Sequence, residues 1–246
     1  TVQSLAPEGS TPLIIGSIRT IVGGVFLVLV ALLRGEYAEP RRFLKPVFLL
    51  TGVTQAVFNF SYFTGLYLTG VAVGTMVAIG SVPIFTGLLG IIFNRERVGL
   101  RWYAASAVAV SGVVLLIGGK GAIYVDPVGI FFALLGGFSY SFFTFVSGRL
   151  VHTFAPDTVM GVSFIIASFL LAPFFGLVPL GWTLSTGGIA TVLYLGLISS
   201  GLAYMLYGRG LKTVMTSHVG TLTLAEPLTA SMLGIFFLRE PMTFVT

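Results

Sequence analysis

Eight stretches of almost unbroken apolar residues alternate with short polar loops: 12 to 33, 46 to 68, 71 to 93, 101 to 118, 129 to 149, 158 to 179, 187 to 208 and 214 to 238. A helix needs about 20 apolar residues to cross the hydrocarbon of a bilayer, so each stretch predicts a transmembrane helix. Strands of a membrane barrel would alternate apolar and polar residues over about ten positions, and runs such as IVGGVFLVLVALL do not. The expected fold class is therefore all-α integral membrane, with eight transmembrane helices in this sequence. None of the eight resembles a cleavable signal peptide, because each has its neighbour across a short loop.

Composition agrees with that pattern and narrows the chemistry. The 246 residues are 56% hydrophobic and 9% charged, where a soluble domain averages about 25% charged, and the mean hydropathy is +1.02. The absence of cysteine removes disulfides and thiolate metal sites. There is no HExxH, so neither a metal nor a cofactor is expected. The net charge of +5 does not signal nucleic acid, because the cations occupy short loops and form no basic face.

Those cations instead separate two faces. Arg34, Arg41, Arg42 and Lys45 follow the first span, Arg95, Arg97 and Arg101 the third, Arg149 the fifth, and Arg209 and Lys212 the seventh: ten on one side. The other side has Lys120 and Arg239, and Arg19 lies inside a span. The positive-inside rule assigns the ten to the cytoplasm.

Residues 74 to 98 (GTMVAIGSVPIFTGLLGIIFNRERV) and 218 to 242 (HVGTLTLAEPLTASMLGIFFLREPM) match without gaps at a shift of 144 residues. Pro83 meets Pro227, Gly90 meets Gly234 and Glu96 meets Glu240. The repeated spans are the third and the eighth, five apart, and an odd step reverses direction through the membrane. The expected organisation is an inverted repeat, 1–119 and 129–246, joined by a linker at 120–128. Inverted repeats are a recurring plan of secondary transporters, with substrate held near the midplane where the halves meet. The same shift carries Thr1–Ser4 onto the exit of the fifth span and carries the fourth span past Thr246. That register predicts a ten-span parent with both termini cytoplasmic, of which this sequence lacks the first and last helices.

Several residues stand out against this frame. Pro83 and Pro227 lie near the centres of their spans, where each frees the carbonyl four residues earlier; their symmetric recurrence marks them as candidate gates. Glu226 is the acidic residue well inside a span, where a carboxylate costs at least about 2.5 kcal/mol, so it should face a wet cavity or a partner. It is a candidate for binding a substrate amino group or for carrying a proton. His218, eight residues earlier and about 12 Å away along the axis, is a second candidate for proton coupling, though direct contact is not expected.

Spacing of three or four puts Gln55, Asn59 and Tyr62 on one helical face, and Ser200, Tyr204 and Tyr207 on another. Ser139, Tyr140, Ser141 and Thr144 cluster on the fifth span. From these faces Asn59, Tyr62, Tyr140, Ser200 and Tyr204, with Glu226, are the candidate substrate contacts; interhelical hydrogen bonding is the bland alternative for each. Arg19, about two turns into the first span, could snorkel outward or bind a substrate carboxylate; a structural partner is the favoured expectation. Gly70, Gly74 and Ala78 form a small-xxx-small packing row, and Trp102, Tyr103 and Trp182 read as interfacial anchors.

The entry PLIIGSIRT with Arg19, the third-span SVPIFTGLLGIIFNRERV followed by Trp102 and SGVVLLIGG, and SSGLAYMLYGRGLKTVMTSHVGTLTLAEPLTASMLGIFFLREPMT near the C-terminus carry a resemblance. The chain resembles the EamA-type, ten-span branch of the drug/metabolite transporter superfamily. That resemblance implies export or exchange of small organic metabolites, often amino acids, through a cavity between two five-helix halves. An ATP-driven pump is disfavoured because GGKGA at 118 to 122 has Gly121 where a phosphate loop needs Ser or Thr. A membrane-embedded enzyme finds no support, since ISSG at 198 to 201 lacks the leading glycine of a serine-nucleophile turn. A lipid or glycolipid flippase of similar architecture is the stronger rival. The expectation is a multi-pass, monomeric inner-membrane transporter of a small-molecule substrate, in contact with lipid and not with nucleic acid.

Overall fold

The computed structural model describes residues 11–36, 45–100, 102–108, 111, 126–177, 180–226 and 229. Helices follow one another as α1 (Pro12–Leu33), α2 (Pro46–Thr69), α3 (Val71–Asn94), α4 (residues 102–108), α5 (Pro127–Leu150), α6 (Pro156–Leu171), α7 (Thr186–Leu193), α8 (Ala203–Gly210) and α9 (Thr216–Thr223). Short 3-10 turns cover Ala172–Leu177 and Gly181–Leu184, and a π-helical segment, Tyr194–Leu202, joins α7 to α8. Among the described residues six helices are long and apolar enough to cross a membrane: Pro12–Leu33, Pro46–Thr69, Val71–Asn94, Pro127–Leu150, Pro156–Gly176 and Thr186–Gly210. Of the expected fourth and eighth spans only 102–108 with 111, and 214–226 with 229, are described, so eight spans are an expectation and six such helices are observed.

Proline sets where many of these helices begin. Pro12, Pro46, Pro127 and Pro156 each open a helix, where the missing N–H is one that no intrahelical carbonyl would accept and the fixed φ already suits the helix. Asp126 adds a cap, accepting from the Val128 N–H at 2.9 Å, so α5 starts two residues before its expected boundary. Ser185 does the same for α7, accepting from Gly188 N–H at 3.0 Å. The sixth expected span tightens into a 3-10 turn after Leu171, because Pro173 cannot donate to continue the α-helical ladder. Gly70 links α2 to α3 at φ 83°, a conformation that admits glycine without strain.

The helices gather their ends on two faces. Arg34, Lys45, Arg95, Arg97, Arg149, Arg209 and Lys212 sit at one end of the bundle, here the basic face, as the loop count requires. Thr69 packs on Gly129, and Ile14 and Ile15 on Trp182, at the opposite face. Trp182, expected as an interfacial anchor, is buried there in a small apolar cluster. Trp102 likewise packs its indole on Gly87 of α3, whereas Tyr103 is exposed.

The largest apolar core fills the basic half. Leu27, Leu89, Phe143, Val159, Met160 and Phe164 interlock there with Phe48, Leu150, Leu211 and Val219. Lipid tails are as apolar as these side chains, so the core is held by close van der Waals packing more than by expulsion of water. Small residues permit the approach. A β-carbon on Gly23 of α1 would meet Ser200 Cβ at 2.6 Å, and one on Gly201 would meet the Phe26 ring at 2.5 Å. The π segment is therefore pressed against α1, with Gly74 and Gly137 allowing similar approaches of α3 to α2 and α5.

Candidate functional site

Above the apolar core, from mid-span toward the opposite face, the helices part around a cavity of ≈ 560 Å³, within the range of small-molecule sites. Arg19 and Ile15 of α1, Phe58, Tyr62 and Phe63 of α2, and Ala78, Ile79 and Val82 of α3 form one side. Gly137 and Tyr140 of α5, Tyr194, Leu195 and Ser199 of the π segment, Ala203, Tyr204 and Tyr207 of α8, and Thr223 and Glu226 complete it. Two sets of helices, α1–α3 and α5–α9, thus enclose one volume.

Aromatic rings supply seven of its eighteen lining residues. Phe58 lies 5.5 Å from Tyr62 and 5.3 Å from Tyr140, ring centre to ring centre, and Tyr207 lies 6.1 Å from Tyr140 and 5.6 Å from Tyr204. These separations fall in the range of favourable edge and offset contacts. Hydroxyls are pinned as well: Tyr207 Oη is 2.6 Å from Thr144 Oγ1, and Tyr62 Oη is 3.2 Å from Thr75 Oγ1. Two charged side chains interrupt this wall. The Arg19 guanidinium lies 5.7 Å from the Phe63 ring centre, and its buried Nε has no hydrogen-bond partner. Glu226 faces it across the cavity within electrostatic reach, yet the two form no ion pair.

The π segment explains how one span supplies so much of this wall. An i→i+5 turn changes which side chains face inward, and such turns recur at functional sites. Here it brings Tyr194, Leu195 and Ser199 to the cavity while Gly196, Ser200 and Gly201 turn toward α1.

Of the residues singled out in the sequence, Tyr62, Tyr140, Tyr204 and Glu226 reach the cavity. Asn59 and Ser200 do not: Asn59 is fully buried, donating to Gln55 O at 2.9 Å beside Thr20, and Ser200 is packed against Gly23. The three-to-four spacing placed them on the right helices; an α-helical face cannot account for the π turn, and a buried amide bonds its own helix. Pro83 is buried within an unbroken α3, with Gly220 of α9 packed against it and Ile79, whose carbonyl it frees, on the cavity wall. Pro227 lies outside the described residues. His218 is exposed near the basic end of α9 and does not line the cavity. Arg19 also lines the cavity, where the sequence favoured a structural partner because its neighbours across the bundle are set by distant segments.

A second polar region occupies the basic face. Asp157 is buried at the start of α6 and pairs with Arg34 of α1 and with Arg209 at 3.2 Å. Thr158 Oγ1 donates to Glu36 at 3.1 Å. Arg149 donates to Asn94 and to Phe93 O at 2.9 and 3.0 Å, and Glu96 accepts from Ser217 N–H at 3.1 Å. Burial works to raise the Glu96 pKa, but hydrogen bonds from Ser217 and Asn94 outweigh it and hold the carboxyl below its usual range.

A multi-pass helical membrane protein with a mid-span cavity flanked by charge is the class these features define. The profile of the EamA-like transporter family matches residues 1–118 and again 127–246, and the chain belongs to that family. It is 38% identical over 240 residues to the uncharacterized transporter YwfM of Bacillus subtilis (strain 168), covering 98% of this chain and 81% of that protein. It is 21% identical to the uncharacterized inner membrane transporter YicL of Salmonella typhimurium, covering 90% and 75% of the two chains. A solved crystal structure superposes with a TM-score of 0.81 over 99% of this chain and 84% of its own, at 21% identity, which bears on the fold alone. The protein is a membrane transporter.

Proposed function

We propose that the protein is a secondary transporter that exports or exchanges amino acids, or closely related small zwitterions, across the inner membrane by alternating access. The observation that carries this reading is the pairing of Arg19 and Glu226 across an aromatic cavity. A guanidinium binds a carboxylate in a fork of N–H donors, and a carboxylate binds an ammonium; a zwitterion satisfies both at once. Tyr62, Tyr140 and Tyr204 then contact the side chain and exclude water. Each charge alone is costly at membrane depth, and substrate neutralises the two together. Pro83 and Pro227 are proposed as paired gating positions, and Glu226 as the group that carries a proton if transport is proton-coupled.

Two inverted halves, 1–119 and 129–246, are proposed to rock about this cavity, with the basic face and both parent termini cytoplasmic. The double match of the family profile supports the division, and the loop charges support the orientation. Counterflow in proteoliposomes of the full-length protein tests the reading. Saturable exchange of at least one amino acid is expected, and Glu226→Gln should reduce it more than 10-fold. No saturable flux of any small zwitterion, or movement of lipid analogues alone, would defeat it.

A further inference from the structure

The polar ties that join α1–α3 to α5–α9 are unevenly placed. Arg34 reaches Asp157, Thr158 reaches Glu36, Arg149 reaches Asn94, and Ser217 reaches Glu96 at the basic face; deeper in the bundle Ser163 donates to Thr51 and Ser141 to Val82 O. Among the described residues no hydrogen bond or ion pair crosses between these two sets near the opposite face, where the contacts are apolar, as between Ile15 and Trp182. Asp157 is the most committed member. Its side chain is 2% exposed, whereas its partners Arg34 and Arg209 are 45% and 42% exposed. A buried carboxylate needs its counter-charges to remain ionised, so Asp157 and Arg34 hold each other while Arg209, from the same set as Asp157, supplies the second positive charge.

From this we infer that Asp157, held by Arg34 across the two sets and steadied by Arg209, is the latch that keeps the basic face shut, and that it releases when the cavity opens to that face. The inference rests on the alternating-access reading above. The apolar core supports it: Leu27, Phe143, Met160 and Phe164 hold α1, α5 and α6 together in the basic half, so widening the cavity toward Asp157 parts α1 from α6. Parting those helices stretches the Arg34 pair first. The shift of 144 residues pairs Asp157 with Leu13, Arg34 with Val178 and Arg209 with Gly65, so no equivalent set of charges stands at the matched positions. The latch is therefore one-sided, and it biases the resting protein toward the state open away from the basic face.

These 246 residues have no cysteine, so single-cysteine labelling of the full-length protein, with any cysteine outside them replaced by serine, is a direct test. Ser199→Cys in the cavity wall reports access, and Lys212→Cys in a separate sample identifies which vesicle orientation exposes the basic face. A membrane-impermeant maleimide is applied to each side. The Ser199→Cys protein should label mainly from the side opposite Lys212→Cys. Adding Asp157→Asn should raise labelling from the basic side at least 5-fold and lower it from the other.

Because Asp157→Asn buries an unpaired amide and can misfold, Arg34→Gln, at a half-exposed side chain, is the second variant, with an expected rise of about 2- to 3-fold. Folded Asp157→Asn and Arg34→Gln proteins that label as the parent does would overturn the latch, whatever the transport assay gives. A shift in labelling without measurable flux would uphold the latch and count against the assigned substrate. Flux without a shift would do the reverse.

Discussion

The basic half and the opposite half of this bundle are built from the same helices and yet differ in kind. The basic half interlocks Phe48, Phe143, Phe164 and Met160 and is tied by Asp157, Glu96 and Arg149. The opposite half keeps small clusters such as Ile14, Ile15 and Trp182, and its middle is hollow around Arg19 and Glu226. The difference teaches how depth divides the bundle: one half supplies packing, and the other holds the two unpaired charges proposed to meet a ligand.

The largest expected effect comes from the hollow half. Arg19→Ala and Glu226→Gln, tested singly in counterflow, should each lower flux by 10- to 100-fold while leaving detergent-solubilised melting temperatures within a few degrees of the parent. A loss of folded protein in either case would make that residue structural and erase the contrast. Next in size is the core: Phe143→Ala, at a fully buried ring, should cost about 3 kcal/mol. Ile15→Ala in the opposite cluster should cost less, about 2 kcal/mol, at the low end for buried truncations. Equal costs measured by reversible denaturant unfolding would show that the two halves are packed alike.

Gly201→Val probes the seam between them. Its side chain would drive into the Phe26 ring, displacing the π segment from α1; flux should fall about 10-fold, and a rate unchanged from the parent would remove this contact from the cycle. A smaller effect is expected of Glu96. Its folded pKa lies below the usual 4.5, so its contribution is fully present above that value and is lost as pH falls through the depressed one. Melting temperature should therefore gain no slope from Glu96 between pH 6 and 8 and should decline more steeply in acid than for Glu96→Gln. Parallel acid limbs would contradict the tie to α9. His218→Ala, at an exposed position off the cavity, should change flux less than 2-fold.

How much of this was legible in the sequence depended on which interactions were local. The first three spans matched their apolar runs within a residue, since burial in lipid demands continuous hydrophobicity and Pro12 and Pro46 mark the starts. Glu226 and the tyrosines at 62, 140 and 204 were found because polar groups at membrane depth are costly and so informative. Ser200 turns from the cavity because α-helical spacing does not anticipate a π turn, although the glycines at 196 and 201 lie within it, and Asn59 because its amide bonds the carbonyl of Gln55 in its own helix. Arg19 stands out in the sequence but not as a favoured cavity residue, and Asp157, near a span end where charge is ordinary, does not stand out at all; only packing from distant segments shows that one lines a cavity and the other is buried between two arginines.

The central claim is that a single substrate bridges Arg19 and Glu226. Direct binding to the purified full-length protein, measured by isothermal titration calorimetry with a transported amino acid, its methyl ester and its N-acetyl derivative, tests this most closely. The parent should prefer the free amino acid over both derivatives by at least 10-fold. Arg19→Gln should lose the preference over the ester, and Glu226→Gln the preference over the N-acetyl form. Preferences that survive both substitutions unchanged, or a parent that binds all three alike, would contradict the account.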